Sequence, residues 1–422
     1  MKFWLCGLML LQMTLAAAEA PAEKKQWPVI REIAFSGNDT TQPKTMLREM
    51  SVHVGDPADP AQIEHSRQAV QDLGLFKSVD VRQEPTTDGV KLVYTVREKF
   101  YFLPYPRLSA NVDKQYSYGA ELEWNNVAGL NHNLRIVAAQ SDANRAGYGK
   151  QTSYSASYIA PFIADTKNNL SVSAGYSSTP LTNPMSGAAY TEIGYAAEVL
   201  LRHIYSTTAA SQGWTAGTGL LYQHENRFGP GAAPPYGTAY AVVGVIEYRD
   251  LHDKIYSEEG QRFSFRHETA LRGVASDYGY TFLRAGYDRF VPIGERAHQT
   301  LQYSGSIGGY FNGPQDVTHF SLGGSRNLRG FPGYSFEGNA YYYGALIYQR
   351  PIVWDWLRVL GGVEVGNVTD HPNSDLFRRA HVSLALGLRL RVSWFVDLQF
   401  EAGWAVPLER SAGSGRFFGG RL

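Results

Sequence analysis

The residues whose types and spacing could do chemistry gather between Phe311 and Ala340. There the run Phe320-Ser321-Leu322-Gly323-Gly324-Ser325-Arg326-Asn327-Leu328-Arg329-Gly330-Phe331 stands. A connection of about 30 residues is either functional or disordered. Paired glycines, one Arg-Gly-Phe triplet and flanking aromatics are not a low-complexity composition. A guanidinium stays charged and bonds a carboxylate through two parallel donors, so the chemistry on offer is ion pairing. Bond-making patterns are missing from the sequence: no Gly-x-Ser-x-Gly elbow, no Gly-x-x-x-x-Gly-Lys phosphate loop, no His-Glu-x-x-His metal pair. The 11 histidines are scattered, and lone ones such as His252 and His381 read as solvated loop or lumen residues. No catalytic residue, metal or cofactor is expected.

The elements around this segment alternate with a period of two. Val382, Leu384, Leu386, Leu388 and Leu390 are interleaved with Ser383, Ala385, Gly387, Arg389 and Arg391. Val396, Leu398, Phe400, Ala402 and Trp404 alternate with Phe395, Asp397, Gln399, Glu401 and Gly403. Successive strand side chains point to opposite faces, so each segment has an apolar and a polar side. Many segments run to about 10 residues, the length of a tilted strand crossing a bilayer, where soluble strands average about 5–6. About sixteen such segments fit between Phe100 and Leu422, from Tyr101–Asn111 to Arg416–Leu422. This predicts an all-β transmembrane barrel of antiparallel strands. Frequent Gly (43) and Tyr (27) suit bends and interfacial girdles. The formal net charge of +0 gives no reason to expect nucleic acid as a partner.

The N-terminus agrees with export. Lys2, the apolar run Phe3–Leu15 and Ala16-Ala17-Ala18 form a secretory signal peptide over residues 1–18. Cys6, the one cysteine, would leave with it, so no disulfide is expected. No continuous apolar run has the ~18 residues of a membrane helix. An exported chain without one crosses a bilayer only as a closed barrel, because closure satisfies every backbone polar group.

Residues 27–98 read differently. Val29–Phe35 is a short strand, and Pro43–Met50 a helix opened by Pro. Asp59 caps a second helix running to about Leu73, and Phe76–Gln83 and Val90–Arg97 are two strands. The order β-α-α-β-β has an apolar set sufficient for one small core. Here Ile33-Ala34-Phe35-Ser36-Gly37-Asn38, then Gly55-Asp56, then Leu73-Gly74-Leu75-Phe76-Lys77-Ser78-Val79 resemble a POTRA domain, a periplasmic module that receives polypeptides.

With that module upstream, the Gly323-Gly324 turn and the Arg329-Gly330-Phe331 triplet, carrying Leu328 with them, resemble the barrel-entering loop of the BamA/TamA superfamily. Glu247-Tyr248-Arg249-Asp250 with Gly260, Trp124-Asn125-Asn126-Val127-Ala128-Gly129-Leu130, and Gly387-Leu388-Arg389 resemble further marks of the family. The resemblance implies that Arg329 folds into the lumen and pairs with Glu364, which by strand parity shares a face with Arg358 and Gly362. The family's second acidic position is Ile347 here, so one carboxylate is expected at Arg329, in a wet lumen. The resemblance also implies a lateral gate between the first and last strands, at Tyr101, Asn111, Arg416, Gly419, Gly420 and Leu422. Paired glycines there should weaken pairing. One POTRA-like module fits before the barrel, as in a minimal member.

The function implied is an outer-membrane assembly or translocation factor of a Gram-negative bacterium, with its POTRA-like domain in the periplasm. Its partners would be outer-membrane lipids, unfolded or secreted polypeptide clients and other envelope assembly proteins. Two alternatives compete: a passive outer-membrane pore or structural barrel, and a lipid-handling member of the same superfamily.

Overall fold

The computed structural model describes residues 27–422 except 111–115, 143–149, 184, 207–208, 315–318, 326, 334, 397, 410–414 and 422. The expected signal peptide (1–18) and the gate candidates Asn111 and Leu422 lie outside the described residues.

The N-terminal module builds β1 (Ile30–Ser36), α1 (Pro43–Leu47), α2 (Pro60–Gln71), β2 (Phe76–Thr86) and β3 (Gly89–Glu98). Its sheet has the order β1-β3-β2, with β1 parallel and β2 antiparallel to β3. The sequence dictates the start of α2: Pro60 fixes the first turn, and Asp59 Oδ1 accepts from Ala61 N at 2.9 Å. Met46 of α1, Ile63 and Val70 of α2, and Phe76, Leu92 and Tyr94 of the sheet share one buried core. Tyr101 and Val396, from outside the module, are part of it. In that sheet β2 has a single neighbour.

The rest is a closed antiparallel barrel of sixteen strands among the described residues. The first eight are β4 (Phe102–Ala110), β5 (Tyr116–Val127), β6 (His132–Asp142), β7 (Lys150–Ala160), β8 (Asn168–Thr182), β9 (Ala189–Ile204), β10 (Gly213–Phe228) and β11 (Gly237–Asp253). The next three are β12 (Glu258–Ala270), β13 (Tyr280–Pro292) and β14 (Thr300–Phe311). A small hairpin, β15 (Phe320–Leu322) with β16 (Phe336–Gly338), lies inside the long loop. The wall resumes with β17 (Ala340–Pro351), β18 (Leu357–Thr369), β19 (His381–Arg391), β20 (Gln399–Pro407) and β21 (Gly415–Arg421).

Parity places the side chains as the alternation requires. On β19 Leu384, Leu386 and Leu388 face outward and exposed, while Ser383, Ala385, Arg389 and Arg391 are buried in the lumen. Many strands are longer than the alternation suggested; β11 spans 17 residues. Their ends continue past the apolar belt, where alternation fades but pairing does not. No helix of the described residues is long and apolar enough to cross a membrane.

The ring is uneven. Neighbours β8 and β9 pair continuously from Asn168↔His203 to Thr182↔Ala189. Between β21 and β4 one pair, Phe418↔Ala110, joins the described residues. Arg416, Gly419 and Gly420 lie on β21, where each pairs backward onto β20.

Candidate functional site

The long loop enters the lumen and packs there. Leu322, Leu328 and Phe331 form a buried cluster with Tyr341 of β17 and Val368 of β18. Gly324 N donates to Phe331 O at 3.0 Å, and Phe331 N to Leu328 O at 2.9 Å, closing the loop into a compact turn. Gly323 N donates to Asn327 Oδ1 at 2.8 Å. Gly330 is there because of contact: a Cβ would stand 2.7 Å from backbone atoms of Val406 and Pro407 and 2.9 Å from Ser383 Cβ. No side chain fits between loop and wall.

Arg329 therefore sits between β18, β19 and β20. Its backbone N donates to Glu364 Oε2 at 2.8 Å, and its Nη1 stands 3.5 Å from Glu364 Oε1. Tyr343 OH donates to Glu364 Oε1 at 2.8 Å and Ser383 Oγ to Glu364 Oε2 at 3.2 Å. Arg329 Nη2 donates to Glu401 Oε2 at 3.2 Å, while Glu401 Oε1 accepts from Arg389 Nε at 2.7 Å.

Two expectations are corrected here. A single carboxylate was expected beside Arg329, since the second acidic position holds Ile347. Ile347 is indeed a buried apolar residue, and Glu401 of β20 supplies the second carboxylate from another strand. A wet, weak pair was also expected. Arg329 is 5 % and Glu364 0 % exposed, so the pair is buried.

At the opposite end of the lumen the N-terminal module docks against the turns between strands. Gln42 N and Thr45 Oγ1 donate to Gly129 O at 3.0 and 2.8 Å, and Asn126 Nδ2 donates to Thr41 Oγ1 at 2.8 Å. Gly129 has φ +72°, and a Cβ would lie 2.1 Å from Thr40 O. At the C-terminal end of α2, Asp72 accepts from Asp253 N at 2.9 Å and lies 2.7 Å from His252 Nδ1. Glu49 is buried and accepts from Ser211 N at 2.7 Å. Burial raises its carboxyl pKa to about 7, against the weaker opposing effect of the Ser211 bonds.

The docking also relocates one gate candidate. Tyr101 precedes β4, is buried, and donates its OH to Leu75 O at 3.2 Å. It belongs to the junction between module and barrel, because a phenol there completes the module's core.

Comparison with known proteins fits this arrangement. The POTRA family model, described as "Surface antigen variable number repeat", matches residues 28–99. The outer membrane protein assembly factor BamA of Nitratidesulfovibrio vulgaris is 39% identical over 70 residues, 17% of this chain and 9% of that protein. The chain thus spans under a tenth of that curated relative. BamA from Haemophilus ducreyi lacking POTRA domains 1–3 superposes with a TM-score of 0.56 at 18% identity, over 93% of this chain and 84% of that one. Residues 28–99 thus form a POTRA domain, and the whole chain has the fold of the BamA barrel.

CdiB from Acinetobacter baumannii (TM-score 0.59, 16% identity) aligns with 94% of this chain and 73% of that one. CdiB from Escherichia coli (0.62, 13%) aligns with 94% and 77%. At such identities the likeness is one of fold. A closed barrel with exposed apolar side chains on strands such as β11 and β19 fits a membrane setting.

Of the loop residues singled out in sequence, Gly323, Gly324, Leu328, Arg329, Gly330 and Phe331 occupy one lumenal turn, and Glu364 meets Arg329 there. His252 and His381, read as solvated, both have partners: Asp72 for the first, and Glu409 at 2.6 Å with the ring of Phe336 for the second. Glu401 was missed although it stood on the polar face of its strand. The available signal was the hairpin register, which sets Arg389 opposite Glu401.

Proposed function

We propose that this protein is an outer-membrane assembly or translocation factor that receives polypeptide in the periplasm through its POTRA domain. The observation that carries the reading is the β21–β4 seam, joined by one pair among the described residues in an otherwise continuous wall. A client strand pairing with either side there would gain main-chain hydrogen bonds that the described residues of the seam do not use. The one-neighbour edge of β2 offers the same chemistry below the membrane. Strand addition and burial of apolar side chains in lipid drive insertion without a nucleotide, and no catalysis belongs to this reading. The relative named as an outer membrane protein assembly factor supports it.

A lock on the seam tests it. Cysteines replacing Ala110 and Phe418 would cross-link β4 to β21, and Cys6 is the sole native thiol in the sequence. The oxidised double variant should fail to restore outer-membrane proteins lost on depletion, and reductant should restore activity. Full activity with the seam locked would rule out lateral passage. If depletion leaves the outer-membrane proteome unchanged, the chain is a passive pore or structural barrel.

A further inference from the structure

Near the periplasmic end of the lumen, Arg358 of β18 and Arg389 and Arg391 of β19 line one small cavity, with Gln302, Gln349 and Glu258. Three guanidiniums thus face one lining carboxylate. Arg389 bonds Glu401, which it shares with Arg329, and Arg391 lies 3.4 Å from Asp253, which it shares with Lys99. Arg358 is 3 % exposed, and its side chain has no carboxylate within 4.0 Å and no hydrogen bond among the described residues; its Nε is buried and unpartnered.

An arginine cannot shed its charge to escape this setting. A buried charge without a partner is strongly unfavourable, so such groups are found paired. The strand register allows no easy exit either, because Arg358 pairs with Pro351 on one side and Arg389 on the other, fixing its lumenal face. The cavity has room for about one water-sized group. That excludes a four-oxygen anion such as phosphate; a halide, somewhat larger than water, enters when the flanking Gln302 and Gln349 side chains move aside.

We infer that the cavity lined by Arg358, Arg389 and Arg391 is a binding site for a halide-sized anion, chloride in the cell. The anion supplies the countercharge for Arg358 and offsets the repulsion between it and Arg389, its partner in the strand register. Glu401 then stays shared between Arg389 and Arg329, which couples the site to the lumenal loop above it.

The full-length barrel, refolded in detergent in sodium gluconate, is titrated with sodium chloride or bromide at constant ionic strength. The unfolding midpoint should rise with halide and saturate, and bromide-soaked crystals should give an anomalous peak within hydrogen-bond reach of Arg358. Arg358→Gln should abolish the saturable rise while the protein remains a heat-modifiable barrel. Arg358→Lys, which keeps the charge, should retain it with a half-saturation shifted several-fold upward, and covers the case in which the glutamine variant does not fold. Equal midpoints in halide and gluconate overturn the proposal. So does an ordered water in the cavity of bromide-soaked crystals, bridging Arg358 Nε and Gln349 Oε1 with no anomalous signal, or a halide response that survives in Arg358→Gln.

Discussion

Glu364 holds Arg329 at two points, accepting from its backbone N at 2.8 Å through Oε2 and lying 3.5 Å from its Nη1 through Oε1. The backbone contact fixes where the loop turns, and the side-chain contact selects a cation at that turn. Because Tyr343 and Ser383 also donate to Glu364, the carboxylate is held by the barrel wall as well as by the loop.

Arg329→Ala should release the loop. Removing one partner of a buried pair costs about 3–5 kcal/mol, since the other charge is left unpaired. The loss should appear as cleavage between Phe320 and Phe336 by protease added to intact cells, together with impaired complementation. Arg329→Lys should rescue only part of both, because an ammonium cannot reach Glu364 and Glu401 as a planar fork does. Full activity and unchanged protection in the alanine variant would detach the loop contact from function.

Much of this site was legible in the sequence, for an identifiable reason. Side-chain parity on a strand is fixed by the backbone, so Glu364 could be assigned to the lumen from Val363 and Val365 alone. Arg329 lies in a loop, where no periodicity applies, and its position was readable only through a resemblance. Glu401 escaped because its pairing with Arg329 crosses from a loop to a strand 72 residues later. Tyr101 escaped because its alternation continues that of β4, while its ring is claimed by a core from another domain. Alternation reports the face of a strand but not what packs beyond its end.

The docking of the POTRA domain should weaken as pH rises. Glu49 has its carboxyl pKa raised to about 7 in the docked protein from an ordinary value of 4.5. A raised value favours the protonated form, so its contribution is complete below the ordinary value and lost as pH climbs through the raised one. Arg48 and Asp72 are the charged groups that act on it besides the Ser211 bonds. Amide protection at Ser211 and Gln212, taken relative to the intrinsic exchange rate at each pH, should therefore fall between about pH 5 and 8, and Glu49→Gln should flatten that slope. Parallel slopes in the two proteins would show that another group titrates.

The POTRA domain should fold alone, but less stably than when docked. Residues 27–98 supply Ile30, Met46, Ile63, Val70, Phe76, Leu92 and Tyr94 to its core, whereas Tyr101 and Val396 come from outside. Circular dichroism of an isolated fragment should give a cooperative melt at a midpoint below that of the domain in the whole protein. A featureless melt would make the barrel a necessary part of this core.

The barrel itself should be heat-modifiable. Among the described residues every neighbour pair except β21–β4 carries a long antiparallel ladder, and the hydrocarbon tails of detergent have no donor or acceptor to compete for those bonds. Unboiled samples should migrate apart from boiled ones on a gel. The thin seam adds a sharper expectation: oxidation of cysteines placed at Ala110 and Phe418 should raise the temperature at which the two forms interconvert. In a closed ring the first opening must come where fewest bonds break, and joining β4 to β21 covalently moves that opening to a longer ladder. An unchanged transition after complete cross-linking would mean that the ring opens elsewhere.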